Sequence, residues 1–233
     1  MLSKIMKLSL CLGVICSIAA CSTTKSASAS AEDKKIATAK INTQLGMAYL
    51  EQHNIQRAKR KLLMALDEAP NIPDTWYSMG YFLEITGDKE QAKTYYLRSV
   101  SLAPQRGDVQ NNYGTFLCRN GQYKASIEHF QLAANDINYI DTASAYENAG
   151  LCALKIPDKK LALMYFNKSL QQDPERASIN LELAELNYQK GDYVTARGNL
   201  EEFLRLSPPT KESFRLSDQL NARLGEKYFS EEG

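Results

Sequence analysis

Five cysteines and two histidines are the residues of this 233-residue chain whose types could do chemistry beyond simple ion pairing. The histidines stand apart. His53 precedes Asn54 in a polar turn, His129 precedes Phe130, and neither has a cysteine or second histidine at metal-ligand spacing. No nucleophile elbow, glycine-rich phosphate loop or CxxC pair is present. The acids are scattered as on solvated helix faces. The expectation is a chain with no catalytic residues, no metal and no cofactor. The cysteines divide into two groups. Cys11, Cys16 and Cys21 lie in or just after an apolar N-terminal run, and Cys118 and Cys152 lie in the body of the chain. If the first three leave with the N-terminus or are modified there, an even pair remains, and two readings stand for it. In an oxidising compartment the pair forms a disulfide. Otherwise the two are inert core thiols, since free cysteine behaves as a small hydrophobe.

The elements that position these residues follow from a repeat. Residues 111–134, NNYGTFLCRNGQYKASIEHFQLAA, read as two short amphipathic helices broken at Asn120-Gly121. The unit recurs before and after. Gly46, Gly80, Gly114, Gly150 and Ala184 form one register with spacings of 34, 34, 36 and 34. Ala58, Ala92, Ser126, Ala162 and Ala196 form a second, and Pro70, Pro104, Asn138, Pro174 and Pro208 a third. The small residue on each first helix lets the second helix approach, the alanine answers it, and the proline stops the second helix. Turn signals separate the helices at Gly87-Asp88, Asn120-Gly121, Pro157-Asp158 and Gly191-Asp192. A period of 34 with this pattern resembles the tetratricopeptide repeat (TPR). The expected fold is all-α, a TPR helical solenoid of five repeats at 39–72, 73–106, 107–142, 143–176 and 177–210. A C-terminal capping helix and tail follow over 211–233. The third repeat carries two extra residues near Asn138-Tyr139. In this register Cys118 and Cys152 lie on the first helices of neighbouring repeats, two positions out of step, or about 3 Å along the helix.

The N-terminus reads as a targeting signal over 1–20. Lys4 and Lys7 precede the apolar run from Leu8 to Ala20, which is too short to span a bilayer comfortably. Ile18-Ala19-Ala20-Cys21 resembles the bacterial lipobox, in which the cysteine becomes the lipidated first residue. By that likeness Cys21 is the lipidation site, and acyl chains at about 0.8 kcal/mol per buried CH₂ would hold the protein on a membrane. Ser22 rather than aspartate after the cysteine leans towards the outer membrane, facing the periplasm. Residues 22–35, STTKSASASAEDKK, are small and polar, so 21–38 is expected to be a flexible tether. No second apolar run is long enough to span a bilayer. The chain has 28 basic and 27 acidic residues, and without the first twenty residues the balance is −1. A near-neutral body argues against nucleic acid as a partner.

Function then falls to the groove that the first helices of such an array line. The groove positions fall on Met47 and Leu50, on Tyr77, Tyr81 and Ile85, and on Asn111, Thr115 and Arg119. They continue on Glu147, Leu151 and Lys155, then on Leu181, Glu185 and Tyr188. Tyrosine offers large contact area with a polar tip. Several of these residues could equally serve only to pack repeat on repeat. The full set of lysines and asparagines that clamps a C-terminal carboxylate in chaperone-type arrays is missing, and no small-molecule substrate is implied. Arg57, Lys59, Arg60 and Lys61 make a basic run that reads either as a solvated face or, being near the tether, as a contact with lipid phosphates.

Two strings narrow the family. NNYGTFLCRNGQY at 111–123 and ENAGLCALK at 147–155, behind a lipobox, resemble the PilW/PilF family of type IV pilus biogenesis and stability lipoproteins. The likeness extends from the signal to the last helix, except that relatives often complete a sixth repeat. The resemblance implies a pilotin, an outer-membrane lipoprotein that binds the secretin subunit of the pilus pore and promotes its localisation and multimerisation. A general envelope scaffold for outer-membrane protein assembly or cell-wall enzymes shares the architecture, as would an enzyme regulator.

Overall fold

The computed structural model describes residues 20–225, with side chains described from residue 30. The targeting segment up to residue 19, the Cys21 side chain and the tail at 226–233 lie outside the described residues. Eleven helices and no strand occur among the described residues. They pair through short turns: α1 (Ala20–Glu51) with α2 (Ile55–Glu68), α3 (Pro73–Ile85) with α4 (Lys89–Leu102), and α5 (Gly107–Arg119) with α6 (Tyr123–Ala134). α7 (Thr142–Ala153) pairs with α8 (Lys159–Gln172), and α9 (Ala177–Lys190) with α10 (Tyr193–Leu206), while α11 (Lys211–Leu224) packs on α9 and α10. The result is a TPR solenoid.

Each register has a visible cause. A Cβ built on Gly80 would fall 3.1 Å from the Tyr96 ring, on Gly114 2.9 Å from Phe130, and on Gly150 2.5 Å from Phe166. The glycines are therefore required by the closeness of the second helix. Each proline stands two residues past a helix end, and the residue before it is pushed to extended ψ, as at Ala69, Ala103, Asp173 and Ser207. Four of the five second helices start on carboxylate or amide caps, α6 being the exception. Asp88 accepts from the Gln91 N–H at 3.1 Å, Asp192 from Thr195 at 3.2 Å, and Asn54 from Arg57 at 3.3 Å. Gly87, Gly121 and Gly191 take left-handed φ in these turns, and His53 (φ 56°) holds the matching place after α1.

Two sequence expectations change. The tether at 21–38 is helical, because α1 begins at Ala20. Between Ala20 and Leu45 there is no glycine or proline, so a helix nucleated by the packed part propagates outward without meeting a helix breaker. Residues 30–35 are exposed, and Ala39 is the first residue fully buried, against Ala65 and Ala69 at the far end of α2. Leu50, expected in the groove, is buried with Ala58, Leu62 and Phe82.

α11 is the last described helix. Thr210 starts α11 with a reciprocal capping pair to Ser213. Asp218 occupies the register of the small residues, 34 positions after Ala184, and is exposed. The 3–4 junction also differs from the others. α6 stops at Ala134, a longer turn follows, and α7 leans on α6 more than α3 does on α2 or α5 on α4.

Candidate protein-binding groove

The first helices touch one another in succession, and the candidate groove residues are the ones that meet across each junction. Between α3 and α5, the Arg119 guanidinium lies 5.7 Å over the Tyr81 ring and 3.5 Å from Glu84. The Glu84 side chain is 7% exposed and also accepts from the Tyr96 hydroxyl at 3.2 Å, so the arginine offsets a nearly buried carboxylate. Tyr77, half-buried, donates to Asp74 at 3.3 Å, and burial followed by the Asp74 charge pushes its phenol well up, keeping it neutral. Between α5 and α7, Asn148 Nδ2 donates to Asn111 Oδ1 at 3.0 Å. The Thr115 hydroxyl donates to the Asn111 carbonyl at 2.9 Å, so Thr115 keeps its methyl group and an acceptor, but no donor, for a partner. Between α7 and α9, Glu147 accepts from Arg176 at 2.5 Å and from Ser178 at 3.2 Å. Between α9 and α11, Glu185 pairs with Arg215. Leu151 is 40% exposed, Ile85 is exposed, and Tyr188 packs on Tyr193.

One continuous face results. It has an aromatic and cationic end at Tyr77, Tyr81 and Arg119, and an amide pair in the middle. Leu151 follows, and beyond it lie Glu147, Glu182 and Glu185. Burial, then the Glu185 charge, raises the Glu182 carboxyl, while Lys155 and Lys159 pull it back. The Asn111–Asn148 bond leaves N–H groups on Asn111 and a carbonyl on Asn148 unpaired, one donor set beside one acceptor. An extended peptide presents the same two groups from its backbone.

Two arginines escaped the sequence reading. Arg106, just before α5, bonds Asp74 at 2.7 Å and Asp108 at 2.6 Å, tying repeats two and three. Arg176, just before α9, reaches Glu147, Ser144, Asp141 and Asp173, tying repeats four and five. An arginine at the residue before a first helix, with an acid on the first helix before it, was the available signal. Cys118 and Cys152 are joined as a disulfide between α5 and α7, with Cα atoms 5.9 Å apart. Among the described residues no cluster of three or more His, Cys, Asp or Glu is placed to hold a metal.

His129 belongs to packing. Its Nδ1–H donates to Gln110 Oε1 at 2.5 Å, and its ring stands edge-on to Tyr113 at 4.7 Å. Burial holds its pKa below the ordinary value against the opposing Glu128 charge. A depressed folded pKa means stability that is present above the unfolded value, about 6.5, and is lost as pH falls below it. Urea midpoints should therefore drop between about pH 7 and pH 5, and His129→Gln should flatten that drop. An unchanged slope in the variant would remove His129 as its source.

A family model for the tetratricopeptide repeat matches residues 73–106. The type IV pilus assembly protein PilF of Pseudomonas aeruginosa is 30% identical over 154 residues, 66% of this chain and 61% of that protein. This chain thus spans about three fifths of that relative's length. A solved structure from the functional characterisation of Pseudomonas aeruginosa PilF, 27% identical, aligns with a TM-score of 0.75 over 84% of this chain and 86% of the other. The crystal structure of PilW, described as a widely conserved type IV pilus biogenesis factor, is 25% identical. It aligns with a TM-score of 0.70 over 81% of this chain and 86% of that one.

Proposed function

From the premise that this chain belongs to the tetratricopeptide-repeat proteins of type IV pilus biogenesis that include PilF and PilW, we propose that it is a pilotin. It is lipid-anchored at Cys21 in the outer membrane and faces the periplasm. Its groove holds a segment of the pilus secretin subunit, so that the acyl anchor brings the subunit to the outer membrane, where the subunits multimerise. The mechanism is physical and involves no reaction. A preformed groove leaves the ordering cost on one partner only.

The observation that carries this reading is the Asn111–Asn148 pair, set between Tyr81 and Leu151 on a face that runs from α3 to α11. The aromatic and aliphatic residues supply contact area, and the amides meet a backbone whatever its side chains.

The test is secretin multimer abundance in outer-membrane fractions. Deletion of the gene should leave secretin monomers in the inner membrane, and Cys21→Ser should do the same while leaving the soluble chain folded. Replacing Asn111 and Asn148 together with alanine removes both partners, so no buried amide is orphaned. That variant should weaken binding of the secretin segment roughly 5- to 30-fold, equivalent to about 1–2 kcal/mol, with unchanged thermal unfolding. Multimer that forms as well without the gene would leave a lipid-anchored scaffold for another envelope partner.

A further inference from the structure

The long turn between repeats three and four presents two isoleucines on a fixed frame. Ile137 and Ile140 are 96% and 100% exposed, and no other large apolar side chain among the described residues exceeds Val194 at 75%. The turn that carries them is held from within. Asp136 accepts from the backbone N–H groups of Gly107 at 2.8 Å and Asn138 at 2.9 Å. Tyr139 lies where a Cβ on Gly107 would stand, 2.5 Å away, and burial pushes its phenol up to about 12. The Thr142 hydroxyl donates to the Tyr139 carbonyl at 2.8 Å, and Asp141 meets Arg176 at 3.5 Å. The polar groups of the turn are thus used inside the protein, while the two isoleucine side chains are left in water.

We propose that Ile137 and Ile140 form a knob that seats in an apolar pocket with a cationic rim on the same protein partner that the groove holds. The proposal rests on the groove reading and adds a second contact to it. The frame is already ordered, so docking the knob costs little conformational entropy, and apolar anchors that fill pockets dominate interface energetics. Charge selects the kind of pocket. Asp141 shares its charge with Arg176, but Asp136 is held by backbone N–H groups and keeps its negative charge beside the isoleucines, and residues 135–142 contain no lysine or arginine. That suits a cationic rim and disfavours a bilayer surface, which attracts basic segments.

Position points the same way. The knob stands at the start of α5 and α7, whose next turns carry Asn111 and Glu147, so it continues the groove at one end. The same edge of the array is where α1 leaves it. Residues 20–35 of α1 run beyond the first packed residues for about 24 Å at 1.5 Å per residue, towards Cys21. A membrane-bound partner would meet this edge. Two linked contacts on one partner raise affinity through effective concentration.

The test uses a photo-crosslinking amino acid at position 140 of the full lipidated chain in native membranes, with position 151 in the groove as the parallel. Adducts with the secretin subunit at both positions, identified by mass spectrometry, are expected. An adduct at 151 but only lipid, a second copy of this chain, or nothing at 140 overturns the knob and leaves the groove reading intact. Capture of the subunit at neither position, with multimer formed in the absence of the chain, overturns the groove reading and this inference with it. With purified components, Ile137→Asp combined with Ile140→Asp should weaken binding of the subunit at least tenfold while thermal unfolding stays unchanged. Equal affinity would also overturn the knob.

Discussion

Loss of the Cys118–Cys152 disulfide is expected to lower the stability of the array by about 3–4 kcal/mol, the chain-entropy value for a cross-link over some 34 residues. The bond closes 34 residues of sequence, two short of the 36-residue spacing at this junction, and joins α5 to α7. In a solenoid each repeat contacts only its neighbours, so stability is a sum of local terms, and one weak junction limits cooperativity. The junction it closes is the irregular one. The turn at 135–141 is longer, α6 is shorter, and α7 leans on α6. The disulfide ties α5 to α7 at the opposite end of these helices, close to the turns at 120–122 and 155–157. In urea, the variant with alanine at both positions should unfold at a lower midpoint, and it should separate into two transitions as repeats one to three uncouple from repeats four and five. The oxidised chain should melt as one unit. Coincident midpoints for the two proteins would show that packing alone closes the junction. Reduction of the wild-type chain provides the same comparison without a mutation.

Much of this architecture is written locally. The glycine register, the prolines after second helices and the asparagine and aspartate caps each act within one repeat, so they could be read from spacing alone. Residues whose role depends on which turn faces which were harder to read. Arg106 and Arg176 look like solvated charges in the sequence, and only the stacking of repeats brings Asp74 and Glu147 to them. Ile137 and Ile140 resemble core residues by type. The two-residue insertion places them in a turn whose one inward position is taken by Tyr139. The composition of the tether reports only whether that segment can fold alone. Residues 21–38 instead extend a helix that repeat one has already nucleated. Of the groove residues, Tyr81, Asn111, Arg119 and Glu147 meet partners across repeats, whereas Leu50 is buried and Thr115 donates its hydroxyl to its own helix.

Replacing Gly150 with alanine is expected to destabilise the protein by about 2 kcal/mol, and the same change at Gly198 to stabilise it by about 0.5–1 kcal/mol. Both glycines sit inside helices, Gly150 in α7 and Gly198 in α10. Alanine gains up to about 1 kcal/mol of helix propensity at either site, so the difference between the two isolates packing. A Cβ on Gly198 meets nothing within 4 Å. A Cβ on Gly150 falls 2.5 Å from the Phe166 ring, and both residues are buried, so either the ring or the helix must move. Overpacking of this kind costs about 1–3 kcal/mol. The upper end applies because the ring is fully buried beside Phe130, Ala149 and Ala162 and has no free space to swing into. Repeat five holds Ala184 opposite Leu200, while in repeat one Leu62 still lies 2.6 Å from a Cβ on Gly46, so a leucine makes only part of the room that alanine needs and the spacing of the helices supplies the rest. Phe166→Leu should accordingly rescue part of the loss in Gly150→Ala, although it costs stability in the wild-type background. A double-mutant cycle from chemical denaturation measures this directly. A coupling energy near zero would mean that the helices separate freely at this junction, and the close approach would then not be what requires glycine in the register.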